Sequence, residues 1–140
     1  MKKDFLVFAD GGSRGNPGSA AIGFVVKDKM GRTIYQQGKY IGKTTNNVAE
    51  YQAVIEALKW LVNKSKFSVG GVQFFLDSKL VVNQLNGLFK VKEVKMRNSI
   101  IKVRQLEREL ERGVSYQLIP RKENSLADTL VNQTLNKRLL

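Results

Sequence analysis

Four carboxylates, far apart in the chain, stand in surroundings that suit chemistry: Asp10, Glu50, Asp77 and Asp128. Two of them follow apolar runs that are typical of buried strands, Phe5–Ala9 before Asp10 and Val72–Leu76 before Asp77. In open α/β sheets, ligands bind beyond the carboxyl ends of parallel strands. If these two strands are parallel neighbours, their acids lie side by side at that edge.

The other two carboxylates fall on helix faces that should be buried. Glu50 precedes Ala53 and Ala57 by three and seven residues, so it shares their apolar face. Asp128 shares a helix face with Val131 in the same way. Both side chains are therefore expected to point inward.

Each acid also has a simpler explanation. Asp10 can open a turn, Asp77 can cap the next helix, Glu50 can pair with a lysine, and Asp128 can favour a helix N-terminus. One shared site accounts for all four at once. Two carboxylates about 4 Å apart repel by roughly 4 kcal/mol at an effective dielectric constant of 20, so such a site needs protons or a divalent cation.

The chain has no cysteine and no histidine. Thiolate and imidazole ligands are therefore absent, and oxygen ligands favour hard cations such as Mg²⁺ or Mn²⁺. Two such ions about 3.5–4 Å apart can clamp the attacking and leaving oxygens of a phosphoryl transfer.

A net charge of +12, from 24 Lys+Arg against 12 Asp+Glu, indicates a polyanionic partner, with nucleic acid favoured. The basic residues are spread along the chain and form no basic amphipathic helix, which argues against a membrane surface. No apolar run approaches the ~20 residues that span a bilayer, and no signal-peptide pattern is present, so we expect a cytoplasmic location.

The predicted element order is βββαβααβα, in one domain that spans residues 1–140. The second and third strands, Ala20–Lys27 and Thr33–Ile41, form a hairpin, and the β–helix–β units after it indicate a mixed sheet with helices packed on it. After the hairpin, the chain is predicted to form a helix that ends near Asn63. The remaining elements are helices Ser78–Asn86, Asn98–Arg112 and Ser125 to about Arg138, and a last strand, Val114–Ile119.

Two stretches between elements are basic. The first, Gly11–Gly18, is predicted to be a turn whose four glycines let another backbone, or a phosphate, approach closely. The second, Lys90–Arg97, is predicted to be a connection that leads into the helix starting at Asn98 and that tracks a nucleic-acid backbone.

Four sequence stretches resemble, in order and spacing, the motifs of type 1 ribonuclease H: FADGGSRGNPGSAAIGFVV, TTNNVAEYQAVIEAL, FFLDSKLVVNQLNG and IPRKENSLADTL. The resemblance covers essentially the whole chain and is closest to short archaeal and bacterial members that consist of the catalytic domain alone. It implies a ribonuclease H-like fold, a five-stranded mixed sheet flanked by helices on both faces. It also implies hydrolysis of the RNA strand of RNA–DNA hybrids with two Mg²⁺ or Mn²⁺ ions, leaving 5′-phosphate and 3′-hydroxyl ends.

The resemblance also implies roles for individual residues. Asp10 would bridge both metal ions, Glu50 and Asp77 would complete one metal site, and Asp128 would complete the other. Glu50 would also lie near the 2′-hydroxyl of the cleaved RNA. The implied substrate contacts are Gly11, Gly12, Ser13 and Asn16 for the RNA strand, Asn46 and Asn47 for the minor groove, and Thr45 with Asn98 for a DNA phosphate.

The sequence departs from the family pattern in two places. The loop before the last helix, Pro120–Glu123, has no histidine, and Arg121 can act there electrostatically but not as a general base, because it does not deprotonate. The long basic protrusion of some members is also missing, since Leu88–Lys95 is short. We therefore expect modest substrate affinity and limited processivity.

Three alternatives stay open. A non-catalytic nucleic-acid-binding module is compatible with the same fold, although it has no use for four mutually repelling acids. Double-stranded RNA shares a wide minor groove and 2′-hydroxyls with the hybrid, so activity on it is open too. A transposase- or integrase-like protein matches the glycine-rich stretch less well. We expect a monomer.

Overall fold

A five-stranded sheet and four α-helices account for most of the described chain, residues 3–64 and 70–139 of the computed structural model. None of these helices combines the length and hydropathy needed to cross a membrane. In chain order the elements are β1 Lys3–Gly15, β2 Gly18–Asp28, β3 Thr33–Thr44, α1 Asn46–Asn63, β4 Gly71–Leu76, α2 Lys79–Leu85, α3 Val94–Leu110, β5 Val114–Leu118, a 3₁₀ helix Arg121–Asn124, and α4 Ser125–Lys137.

The strands are arranged in the order β3-β2-β1-β4-β5. β1, β2 and β3 form an antiparallel meander, whereas β4 is parallel to β1 and β5 is parallel to β4. The predicted five-stranded mixed sheet and the predicted element order are therefore confirmed. The hairpin of β2 and β3 is also confirmed.

β1 does not end at Ala9, as the apolar run predicted. It continues to Gly15 and stays paired with β2 until Gly15 lies opposite Gly18. The prediction of a turn over residues 11–15 is therefore wrong, because an antiparallel ladder uses backbone groups and needs no apolar side chains to continue. Asp10 consequently lies inside β1, at the level where the neighbouring strand β4 ends.

α3 begins at Val94, four residues before the predicted start. Lys95, Met96 and Arg97 are of residue types that form helices well. The positive charge of Lys95 and Arg97 had instead suggested a connection. The N-cap residue, Glu93, makes no side-chain cap hydrogen bond, so no capping motif marked the true start. Asn98 therefore lies inside the helix and not at its beginning.

Helices cover both faces of the sheet, as predicted. On one face, Val7, Phe24 and Phe74 are fully buried in a core that includes Leu58 of α1. On the other face, Ala21 packs against residues of α4, Val131 and Leu135. Successive residues of a strand point to opposite faces, so one sheet supports a helix carrying Glu50 on one side and a helix carrying Asp128 on the other.

Two glycines let these helices approach the sheet closely. A Cβ atom on Gly11 would overlap the carbonyl oxygen of Ala49, the residue before Glu50. A Cβ atom on Gly23 would overlap the carbonyl oxygen of Ala127, the residue before Asp128. Each helix thus touches the sheet next to its own acidic residue, which draws both acids toward the strand ends.

Candidate active site

The parallel pairing of β1 and β4 brings two of the acids together. Phe8 lies opposite Phe75 in this ladder. Asp10 and Asp77 each follow two residues later, so they emerge side by side where β4 ends. The sequence-based expectation of parallel neighbouring strands is confirmed.

The third and fourth acids reach the same place from the two helices. One carboxylate oxygen from each of Asp10, Glu50 and Asp77 lies within 4.8 Å of the others. Asp128 lies near enough for its charge to raise the pKa of Asp10. All four line one open cavity of about 440 Å³.

Burial dominates the electrostatics of this cluster. Asp10 is only 7% exposed and Glu50 only 8%. Burial raises the pKa of Asp10 to about 7; a hydrogen bond with Glu50 opposes this shift, while the charges of Asp77 and Asp128 add to it. Burial also raises the pKa of Glu50 well above its ordinary value, and the charge of Asp10 adds to that effect.

A second buried glutamate on α1 shows what Glu50 lacks. Glu56 bonds Lys39 at 2.8 Å and Lys59 at 3.4 Å. Glu50 has no such cationic partner among the residues that the structure describes, and its buried Oε2 atom accepts no hydrogen bond there. An unpaired buried oxygen is unfavourable, so this donor set fits a hard divalent cation.

Asn124 is a residue of this region that the sequence did not single out for the site. Its buried side-chain amide donates to the carbonyl oxygen of Ala9 and to Oδ2 of Asp77, both at 2.9 Å. Asn124 is the N-cap residue of α4, but its side chain makes no cap hydrogen bond. It ties the start of α4 to β1 and β4.

The polar residues at the N-terminus of α1 bond to one another. The Oδ1 atom of Asn46 accepts from the backbone N–H of Ser13 at 2.9 Å and from its hydroxyl at 3.1 Å. The backbone N–H of Asn46 donates to Oδ1 of Asn16 at 2.9 Å. Thr45 caps the helix, because its hydroxyl accepts from the N–H of Val48 at 3.3 Å. These bonds fix the hairpin of β1 and β2 against α1.

Most of the sequence-predicted substrate residues line the carboxylate cavity, and some do not. Its wall includes Gly11, Gly12, Ser13, Asn46, Asn47 and Arg121. Asn16, Thr45 and Asn98 are not part of that wall, and Thr45 and Asn16 are engaged in the bonds just described. The position opened by the missing Cβ of Gly11 is filled by the Ala49 carbonyl. The sequence allowed either another backbone or a phosphate to approach Gly11 closely. In the structure the approaching group is the backbone of Ala49.

A second, shallower groove adjoins the carboxylate cavity. Asn47 lines both, and residues of α2, of the segment 88–93 and of α3 form the rest. The lining combines apolar side chains with two exposed lysines, one exposed acid and one buried glutamine: Leu80, Leu88, Phe89, Met96, Lys90, Lys92, Glu93 and Gln84.

A protein-family model described as reverse transcriptase-like matches residues 8–134, a range that contains all four acids. The structure of LC11-RNase H1 in complex with an RNA/DNA hybrid is 40% identical, with a TM-score of 0.93, over 97% of this chain and 99% of that one. RNase H1 from the halophilic archaeon Halobacterium salinarum is 34% identical, with a TM-score of 0.86, over 95% and 98%. The chain belongs to the ribonuclease H1 family, and the resemblance seen in its motifs is confirmed.

Curated relatives place the same domain in longer proteins. The bifunctional protein Rv2228c of Mycobacterium tuberculosis is 38% identical over 94% of this chain but only 35% of its own length. Ribonuclease HI of Halobacterium salinarum is 36% identical over 92% of this chain and 63% of its own length. The chain thus spans about a third of the first protein and less than two thirds of the second.

Proposed function

We propose that this protein is an endoribonuclease that hydrolyses the RNA strand of RNA–DNA hybrids and leaves 5′-phosphate and 3′-hydroxyl ends. The observation that carries the proposal is the convergence of four acids on one open cavity, from β1, α1, α4 and the position directly after β4. The bound hybrid of LC11-RNase H1, a relative of the same length, supports the choice of substrate. The net charge of +12 fits a polyanionic duplex.

The carboxylates would act as ligands for two Mg²⁺ or Mn²⁺ ions. Ions of this kind neutralise charge on the phosphate and activate water for in-line attack. We assign Asp10 to both ion positions, Glu50 and Asp77 to one, and Asp128 to the other. The raised pKa of Asp10, about 7, describes the carboxyl without a cation; a cation would favour its charged form.

Other residues that line the cavity would recognise the RNA strand. A Cβ atom on Gly12 would make only ordinary contacts, the nearest with Cγ1 of Val131 at 3.7 Å, and the side chains of Ser13, Asn46 and Asn47 line the same cavity. Hydroxyl and amide groups at this spot suit the 2′-hydroxyl, which distinguishes RNA from DNA. Glu50 would lie near that hydroxyl, and Arg121 would attract phosphate at the rim without acting as a base.

The groove beside Asn47 would take the second strand. Exposed Lys90 and Lys92 are suited to phosphates, and the apolar floor is suited to sugars and bases. The pocket for a DNA phosphate at Thr45 and Asn98 stays a prediction from sequence.

The decisive experiment compares an RNA–DNA hybrid, an RNA duplex and a DNA duplex, each with Mg²⁺ and with Mn²⁺. We expect cleavage of the RNA strand in the hybrid and none in the DNA duplex. An intact hybrid at high enzyme concentration would favour the non-catalytic module. Equal rates on all three duplexes would contradict recognition of the 2′-hydroxyl.

The same experiment tests the finer sequence predictions. The RNA duplex measures activity on double-stranded RNA, and the two metals measure the preference between Mg²⁺ and Mn²⁺. The single domain over residues 1–140, the monomeric state and the cytoplasmic location stay predictions from sequence.

A further inference from the structure

The segment 88–93, between α2 and α3, exposes apolar side chains although it has no helix or strand of its own. Leu88 is 71% exposed and Phe89 is 45% exposed. Exposed apolar groups beside exposed lysines, next to a carboxylate cavity, suggest a binding surface rather than a random loop. The contacts that hold this surface in place therefore bear on what it can bind.

Hydrogen bonds fix the segment at several points. The backbone N–H groups of Leu88 and Phe89 both donate to the carbonyl oxygen of Asn83, at 2.8 and 3.2 Å. Arg97 donates through Nε to the carbonyl oxygen of Val91 at 2.9 Å. These contacts come from the exposed flanks of α2 and α3. The remaining contact comes from the protein interior.

That interior contact is made by Gln84. Its side chain is only 4% exposed, and its Nε2 donates to the carbonyl oxygen of Lys90 at 3.2 Å. Its Oε1 accepts from the hydroxyl of Tyr51 at 2.7 Å, and Tyr51 is fully buried on α1, directly after Glu50. A line of hydrogen bonds therefore joins the helix that carries a site acid to the basic segment.

Loss of this hydrogen bond would be energetically unfavourable, so the contact holds the segment in place. A buried amide that loses its partner keeps the full cost of leaving water, so displacement of the segment would leave Nε2 of Gln84 unpaired. The segment is thus held where Lys90, Lys92 and Phe89 face the groove. Preorganisation of this kind improves affinity by reducing the entropy lost on binding.

We propose that Gln84 is a positioning residue for substrate binding: through Lys90 it holds the segment 88–93 in place as the surface for the second strand of the duplex. Gln84 lines the groove but is only 4% exposed, so in this role it acts through Lys90. The inference rests on the proposed function, because it assigns the groove to the same substrate. The alternative is that Gln84 only stabilises the core.

The test is Gln84→Met, which keeps the length of the side chain and removes both hydrogen bonds. We expect KM for the hybrid to rise roughly three- to tenfold, the effect of losing about one hydrogen bond's worth of organisation, with kcat unchanged. Amide hydrogen exchange at Leu88 and Phe89 should become faster, while exchange in the sheet stays as in the wild type.

Gln73→Met is the matched control. Gln73 is also a partly buried glutamine with side-chain partners, the hydroxyl of Ser115 and the carbonyl oxygen of Phe74, but it lies on β4 and not beside the groove. We expect KM to stay as in the wild type. Tyr51→Phe removes only the hydroxyl that orients Gln84, and it should raise KM in the same direction by less. It also serves if Gln84→Met does not fold.

Binding separates this inference from the proposed function. Hybrid affinity is measured for Gln84→Met on an Asp10→Asn background, where cleavage is not needed, and should fall by the same factor as KM rises. Faster exchange in the segment with unchanged affinity would overturn the inference, as would a loss of kcat at constant KM. A wild-type protein that binds but never cleaves the hybrid would instead overturn the proposed function alone.

Discussion

At the residue scale, Asp10 is the acid to which the other three are linked. Burial raises its pKa, the neighbouring Glu50 opposes this shift, and the charges of Asp77 and Asp128 add to it. Because its pKa is about 7, this carboxyl is mostly protonated below neutral pH unless a cation lies beside it. Replacing it with a neutral residue of the same shape therefore isolates its role as a ligand.

Asp10→Asn is expected to reduce cleavage of a labelled hybrid to background, because the proposed ligand shared by both ions is lost. Hybrid binding, followed by fluorescence anisotropy, should persist, since the basic surface is intact. Asp28→Asn is the control: Asp28 is a surface acid that pairs with Arg32 at 3.0 Å, and its loss should leave the rate unchanged. Near wild-type cleavage by Asp10→Asn would contradict the metal assignment.

Asn124→Ala is expected to weaken Mg²⁺ binding by about tenfold or more, as is usual when a group that orients a metal ligand is removed. It should also lower the free energy of unfolding by about 1–3 kcal/mol, because the Ala9 carbonyl and Asp77 lose a buried donor. Isothermal titration with Mg²⁺ and urea unfolding measure the two effects.

Asn124→Ser separates orientation from helix capping. Serine is as good an N-cap residue as asparagine, but its hydroxyl is too short to replace the amide that reaches Ala9 and Asp77. We expect the serine variant to resemble the alanine variant in Mg²⁺ affinity. Wild-type affinity in Asn124→Ser would contradict the proposal that the amide of Asn124 orients Asp77.

At the element scale, the site depends on how closely two helices approach the sheet. Gly11 admits the backbone of α1 beside Glu50, and Gly23 admits the backbone of α4 beside Asp128. The spacing between elements is therefore set by missing side chains at two points. An added methyl group at either point would move an acid as well as a helix.

Gly11→Ala should lower the free energy of unfolding by about 1–3 kcal/mol, the usual effect of overpacking, and should reduce cleavage by displacing Glu50. Gly12→Ala, on the same strand, is the control for the stability measurement. The nearest atom to its added Cβ would be Cγ1 of Val131 at an ordinary 3.7 Å. Urea unfolding of both variants measures the difference. Equal stability of the two would contradict the close-packing argument.

The elements also show what the sequence could and could not predict. Apolar runs before Asp10 and Asp77, and helical spacing around Glu50 and Asp128, were enough to bring the acids together, because strand and helix periodicities are local. The hydrogen bonds of Asn124 join residues separated by 115 and 47 positions, so no local pattern announces them. The extension of β1 past Ala9 depends likewise on backbone pairing with β2, which leaves no apolar signal.

At the scale of the whole molecule, the absence of histidine lets the pH dependence of stability report on the acid cluster. Between pH 5 and 7 no other side chain titrates at its ordinary pKa, since ordinary carboxyls are already charged and lysines are still protonated. Any change of stability in this interval therefore reports on carboxyls whose pKa is raised by folding. Asp10 and Glu50 are the described residues of that kind.

In metal-free protein, the free energy of unfolding is expected to fall as the pH rises from 5 to 7. The pKa of Asp10 rises from 3.8 to about 7 on folding, so the folded state binds more protons than the unfolded state throughout this interval. The slope is at most about 1.4 kcal/mol per pH unit for each such proton. Urea unfolding with a chelator at pH 5, 6 and 7 measures it, and Asp10→Asn should flatten the curve. Saturating Mg²⁺ should make the free energy of unfolding rise with pH instead, because it binds the charged carboxyls. If the free energy of unfolding rises with pH in the chelator as well, the acids are not held together in the folded protein.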